Sequence, residues 1–182
     1  GRTLAEVWAE RGMRGYKGTT VRGFPNLFQL VGPNTALGHS SMVYIIESQV
    51  RYVVDALRTL RREGREAGTD GFAAVEPTEA AQERWNDHVQ ERMRPTVWTT
   101  GGCASWYLDE FGNNTTLWPG HTFSFRRHLA RFDRDAYEVT DPTGPRTDPA
   151  AVPAAAPTTA GTPDTAAGTP PDPTDDKESV TA

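Results

Sequence analysis

Between Met42 and Leu60 the sequence sets Met42, Ile45, Ile46, Val50, Val53, Val54, Leu57 and Leu60 three or four residues apart, with one adjacent pair at each flank of the series. That spacing lines one broad face of an α-helix with apolar side chains. A helix is predicted over residues 40–63, with Ser40 or Ser41 accepting an orphan backbone N–H at its start. Arg58, Arg61 and Arg62 crowd the last turn, where cations favour the negative helix end, and Gly64 suits the stop. At 1.5 Å per residue such a helix reaches about 36 Å, the width of a domain.

Just ahead of it, NLFQLV at 26–31 is apolar at nearly every position and reads as a strand covered on both faces. Gly32 and Pro33 stop it, and a loop of small residues leads on to the helix. One such strand and one such helix leave too few sheet partners to bury both faces. The segment is built to complete a sheet begun elsewhere.

The rest of the chain punctuates clearly. Residues 3–12 predict a short helix with Leu4, Val7 and Trp8 on one face and Gly12 ending it. Residues 16–21 are β-prone. After the sequence GREAGTDG, read as a mobile linker, 72–75 reads as a short strand. Pro77 opens a helix carrying Ala81, Trp85, Val89 and Met93 on one face, closed by Pro95. TVWTT at 96–100 is strand-like, GGCASWYLDEFGNN is rich in turns, and HTFSFRRHLARF follows.

Residues 141–182 contain no Phe, Tyr, Trp, Leu, Ile or Met, too little apolar surface to offset the entropy of ordering a backbone, so a disordered acidic tail is expected. Seven acids and two bases there account for the whole net charge of −5. Residues 1–140 therefore balance at 17 against 17 and offer no basic footprint for nucleic acid. Cys103 is the lone cysteine, which excludes an internal disulfide and fits a reducing, cytoplasmic setting. No apolar run approaches the ~20 residues of a membrane span, and no secretory leader is visible.

A loop feeding a helix N-terminus presents backbone N–H groups and a positive dipole end to an anionic group. Gly32, Thr35, Ala36, Gly38 and Ser40 are small enough for close backbone approach. Many such junctions merely turn the chain. No Gly-x-Gly-x-x-Gly occurs, so the chain cannot supply its own dinucleotide fingerprint.

Two stretches carry a family resemblance: GFPNLFQLVGPNTALGHSSMVYIIESQVRYV and TVWTTGGCASWYLDEFGNNTTLWPG. Together they resemble the C-terminal region of class B flavoprotein monooxygenases, the Baeyer–Villiger monooxygenases and their flavin-containing monooxygenase relatives. The resemblance covers about residues 1–138. It implies an α/β fold: the C-terminal fragment of a Rossmann-like FAD/NAD(P)-binding fold made of a strand, a long helix and an aromatic-rich loop region. Residues 1–65 would close the FAD-binding domain, 66–140 would form a C-terminal subdomain with a cofactor-closing loop, and 141–182 the tail.

The resemblance also implies a chemistry. NADPH reduces FAD, O2 adds to give a peroxyflavin, and one oxygen atom enters a ketone, giving an ester, or a soft nucleophile such as a sulfide or amine. Asn34, Thr35, Leu37, Gly38 and His39 become candidates for flavin contact, with Leu37 and Met42 at the substrate pocket wall. His39 is the single catalytic candidate. Ser105, Trp106 and Tyr107 resemble the loop that closes over NADP, where an indole can both donate a hydrogen bond and cover a cofactor. The chain departs from the family pattern after Asp109, which leaves Asn113 and Asn114 as secondary candidates. The partner implied is the N-terminal dinucleotide-binding portion, absent from these residues, along with the catalytic arginine. The alternatives are an inactive fragment or partner-binding remnant of a flavoprotein, and a reductase-type flavoprotein without oxygen chemistry.

Plainer readings stand beside these. Cys103 among glycine and aromatic residues reads as a small buried hydrophobe. His39, His88, His121 and His128 lack metal-ligand spacing, so no metal is expected. Trp85, Trp98 and Trp118 read as packing, Arg126 and Arg127 as solvated charge, and Glu47 with Arg51 as a helix pair.

Overall fold

The structure, a computed structural model, describes residues 1–38, 40–66, 74–101 and 106–140. The expectations for His39, Cys103, Ser105, most of the linker, the start of the 72–75 strand and the tail lie outside those residues. Helix α1 (Leu4–Arg11) is capped by Thr3, whose hydroxyl accepts from the Glu6 amide while the Glu6 carboxylate accepts from the Thr3 amide. Gly12, at φ 82°, turns the chain out of it. Helix α2 (Met42–Glu66) starts two residues later than the sequence predicts and runs through Gly64 to Glu66. Gly64 therefore sits inside the helix and does not stop it. Helix α3 (Glu79–Met93) is capped by the Thr78 hydroxyl, which accepts from Ala81 N–H, and Pro77 belongs to the strand before it.

Two expected strands are absent from the described residues. Residues 26–31 run irregularly from a turn at Asn26 to a bend at Leu30–Val31, with Asn26 and Val31 both at positive φ and Leu30 and Val31 exposed. The physical reason is pairing: a strand needs a ladder on at least one edge, and here the segment's hydrogen bonds go elsewhere. Gln29 N–H donates to Thr19 C=O, Val31 N–H to the Gln49 side chain, and Asn26 exchanges two bonds with Val75. TVWTT likewise folds into the helical turn α4 (Val97–Thr100). The β-prone 16–21 segment closes on itself through a single Tyr16–Thr20 bridge.

The one sheet among the described residues pairs β1 (Ala74–Pro77) antiparallel with β2 (Tyr137–Thr140), setting Glu76 directly opposite Glu138. Like charges facing across a ladder repel; Arg22 lies between them, 2.6 Å from Glu138 and 3.6 Å from Glu76. Helix α5 (Thr122–His128) packs beside α2, and one 3-10 turn (Arg134–Ala136) leads into β2.

The core gathers Ile45, Tyr52, Ala56 and Leu60 of α2 with Ala81, Trp85 and Val89 of α3, and with Trp118, Phe125, Leu129, Phe132 and Tyr137. Trp85 stacks on Trp118 with ring centroids 5.6 Å apart and planes 10° off parallel, so both tryptophans pack as expected. The face α2 buries coincides with the predicted stripe only at Ile45 and Leu60. It is Ile45, Ser48, Gln49, Tyr52, Ala56 and Leu60, while Val43, Val50, Val54 and Leu57 point outward. Gln49 is fully buried and bonded on both ends: its carbonyl accepts from Val31 N–H, and its amide donates to Gly18 C=O and Thr19 Oγ1. A buried glutamine that satisfies backbone groups no sheet serves is worth keeping inside.

Candidate functional site

The loop that leads into α2 is built from the inside. Asn34 adopts φ 57° and buries its side chain, whose amide donates to the carbonyls of Asn114 and Leu117. Thr35 is fully buried and its hydroxyl donates to Gly32 C=O at 2.7 Å. The backbone continues the tie. Asn34 N–H donates to Thr115 C=O, Ala36 N–H to Thr116 C=O, and Trp118 N–H to Ala36 C=O, making a parallel bridge between Ala36 and Leu117. The two quoted stretches, eighty residues apart, thus meet along one seam.

Asn114 is the knot of that seam. It is 1 % exposed; its backbone N–H and C=O bond the Gln90 side chain, and its side-chain Oδ1 accepts from the backbone N–H groups of Thr116 and Leu117. Ahead of it, Asp109 accepts from the Phe111 and Asn113 amides and exchanges backbone bonds with Asn113 and Gly112, which folds 109–113 into a tight turn. Asn113 serves this turn through its main chain.

Past the seam the loop opens. Leu37 and Met42 are half-buried against the core, and Gly38 is exposed beside Trp98, where an added Cβ would sit 3.8 Å from the indole. The first turn of α2 holds no acidic residue, and among the described residues no acceptor meets the N–H groups of Ser41, Met42 or Val43. The mouth of this helix is not plugged by the described part of the chain. Trp106 is 77 % exposed and lies against the Tyr107 ring, centroids 4.1 Å apart.

The structure therefore separates the sequence-predicted residues into two groups. Leu37, Gly38, Met42 and Trp106 keep surface that a ligand could meet; Asn34, Thr35 and Asn114 direct their side chains inward and hold the loop. The residue sequence reasoning missed is Gln90, whose contact with Asn114 lies 24 residues away on another element. No motif marks it.

A second polar group sits below the seam. The Asp133 carboxylate accepts from the Tyr16 and Tyr52 hydroxyls, and lies 3.0 Å from the Lys17 ammonium. Tyr137 extends the network, 2.9 Å from Tyr52 Oη and 3.0 Å from Thr20 Oγ1. Burial pushes the phenols of Tyr16, Tyr52 and Tyr137 well above their usual range, and burial lowers the Lys17 ammonium against the pull of Asp133. The Lys17 ammonium also lies 5.3 and 5.1 Å from the ring centroids of Tyr16 and Tyr52. Among the described residues no group of three or more His, Cys, Asp or Glu could hold a metal, and no helix is long and apolar enough to cross a membrane.

Comparison with known proteins gives these parts a setting. No family model matches the chain. A Baeyer–Villiger monooxygenase of Streptomyces coelicolor is 52% identical over 142 residues, which is 78% of this chain and 26% of the relative. A Baeyer–Villiger monooxygenase of Pseudomonas aeruginosa is 50% identical over 141 residues, 77% of this chain and 25% of the relative. Among solved structures, an oxidized steroid monooxygenase bound to NADP superposes with a TM-score of 0.63 at 28% identity, covering 78% of this chain and 26% of that one. The chain spans about a quarter of the length of the relatives it matches.

Proposed function

We propose that this chain, identical to Baeyer–Villiger monooxygenases at half of the aligned positions and matching a quarter of their length, is the C-terminal part of an FAD- and NADPH-dependent monooxygenase. Such an enzyme would insert one oxygen atom from O2 into a ketone, or into a sulfide or amine. The observation that carries this reading is the 52% identity over 142 residues to a Baeyer–Villiger monooxygenase. The rest of the dinucleotide-binding fold, in this reading, is supplied by polypeptide outside these residues.

The flavin, when bound and reduced, supplies the activation of O2; this chain supplies placement. The open N-terminus of α2, with small residues before it and no carboxylate in its first turn, suits the electron-rich edge of a reduced flavin. Leu37, Gly38 and His39 are the contact residues, and Met42 borders the substrate. Asn34 and Thr35 act one step back: their inward side chains fix the loop's course. Trp106 offers its indole face and N–H to NADP. Because the 34–36 and 114–118 segments share a seam, the flavin-side loop and the approach to the NADP-side loop are held in one register.

The test is a full-length chimera in which residues 1–140 replace the matching quarter of the Streptomyces relative. It should purify with a flavin absorbance band and consume O2 in an NADPH-dependent way while converting a ketone to an ester. Trp106→Ala in that chimera should raise the KM for NADPH about tenfold, about 1.4 kcal/mol, and leave the flavin band in place. Flavin without NADPH-dependent O2 consumption would mean a reductase; a colourless chimera would mean a remnant.

A further inference from the structure

Helix α2 has two apolar faces, and the described chain covers one. On the other, Val43, Val50, Val54 and Leu57 are 61, 42, 38 and 41 % exposed, with Ile46 and Val53 half-buried alongside. Positions 43, 50, 54 and 57 recur at helical spacing and form one ridge about 21 Å long. A continuous apolar ridge of that length is unusual on a finished surface. Beside it an open groove is bordered by Val50, Val54 and Ala130 and edged by Arg51, Arg58 and Arg131. None of these arginines has an ion-pair partner among the described residues. The one acid in the groove, Asp55, already accepts from Phe132 N–H, and the other exposed acid near the ridge, Glu47, lies towards the opposite end.

Two observations say what covers the ridge. The relatives are about four times as long as the matching part of this chain, so some three quarters of their length lies outside it. The groove's edge is cationic on a body whose charges balance, so a second copy laid face to face would bring arginines against arginines. We infer that the Val43–Val50–Val54–Leu57 ridge is the docking face for the dinucleotide-binding portion, which presents an apolar groove bordered by carboxylates. This rests on the reading of the chain as part of such a flavoprotein.

The experiment compares one double substitution, Val50→Glu with Val54→Glu, in two settings. In the 182-residue chain both side chains already face solvent, so its melting temperature should stay within about 2 °C of the unsubstituted chain. In the chimera the same carboxylates would be forced into an apolar interface, and the melting temperature should fall by more than about 8 °C, or the single transition should split in two. An unchanged chimera overturns the proposal, as does an unsubstituted chimera that fails to unfold as one unit, since a face built for that partner should seat on it. Sedimentation supplies the third arm: a dimer of the 182-residue chain that the double substitution dissociates would make the ridge a self-interface and overturn it too. Flavin content is read separately. A chimera that unfolds as one unit and responds to the substitutions but carries no flavin upholds the docking face and sinks the monooxygenase reading.

Discussion

The Asp133 carboxylate collects three donors from two distant parts of the chain: Tyr16 with its neighbour Lys17, and Tyr52. Removing it in Asp133→Ala leaves two phenols and a largely buried ammonium without their acceptor, with about 2–4 kcal/mol lost from unfolding in urea; the discount from a fully buried pair reflects the partial exposure of Asp133 itself. The same cluster sets an alkaline limit. Tyr16, Tyr52 and Tyr137 have folded-state values raised above the ordinary value of about 10, so their contribution is complete below pH 10 and drains away as pH rises further. Lys17, lowered by burial, acts in the opposite sense in its own window below 10.5, one group against three. In a pH titration the phenolate absorbance of these three tyrosines should therefore appear together with the loss of tertiary structure. Phenolate from all three while the fold persists would contradict the burial described for them. None of this was legible in the sequence, where Lys17 and Asp133 are 116 positions apart and carry no motif; likewise Asn34 and Thr35 could be marked as loop residues, but the Asn34 amide is turned inward by the carbonyls of Asn114 and Leu117 and the Thr35 hydroxyl by that of Gly32.

Helices α1 and α3 were legible nearly to the residue, because Thr3 and Thr78 cap them locally and Gly12 and Pro95 end them locally. Strands are a different matter. NLFQLV has the composition of a buried strand, yet a strand exists only through its neighbour, and Gln49 and Thr19 take the bonds a neighbour would have taken. In α2 the apolar stripe gave the helix and, in Ile45 and Leu60, only part of its inward face, since Ser48, Gln49 and Tyr52 are buried by the partners they find and the valines are not. The chain also packs tightly at Gly18. Its φ is +60°, and an added Cβ would come within 2.2 Å of Thr35 Cγ2 and 2.7 Å of Pro33 C=O. Gly18→Ala should cost about 2–4 kcal/mol through backbone strain and overpacking combined. Because the displaced atoms belong to the loop before α2, hydrogen exchange at the Ala36 and Trp118 amides should rise with it. A substitution that leaves both the stability and those amides unchanged would show that the loop does not lean on residue 18.

For the molecule as a unit, what matters is which ends are tied together. Tyr16 bonds Asp133 and Thr20 bonds Tyr137, each across 117 residues, and β2 is the sole ladder partner of β1 among the described residues. Deleting residues 141–182 should leave the urea midpoint where it is, because that segment has almost no apolar surface to contribute. Deleting residues 133–182 should abolish cooperative unfolding, since it removes the carboxylate, one phenol of the network and the second strand at a stroke; circular dichroism across a urea series distinguishes the two. The family resemblance was readable because two stretches of loop sequence stand in recognisable order, whereas the strand expected at 26–31 depends on partners that the described residues do not supply. The long-range ties have a kinetic side. Closing a circuit of more than a hundred residues must precede the contacts that reward it. On the ribosome, Tyr16 and Thr20 therefore wait until Asp133 and Tyr137, each 117 residues further on, have emerged, and the aromatic core stays unlatched for that whole interval.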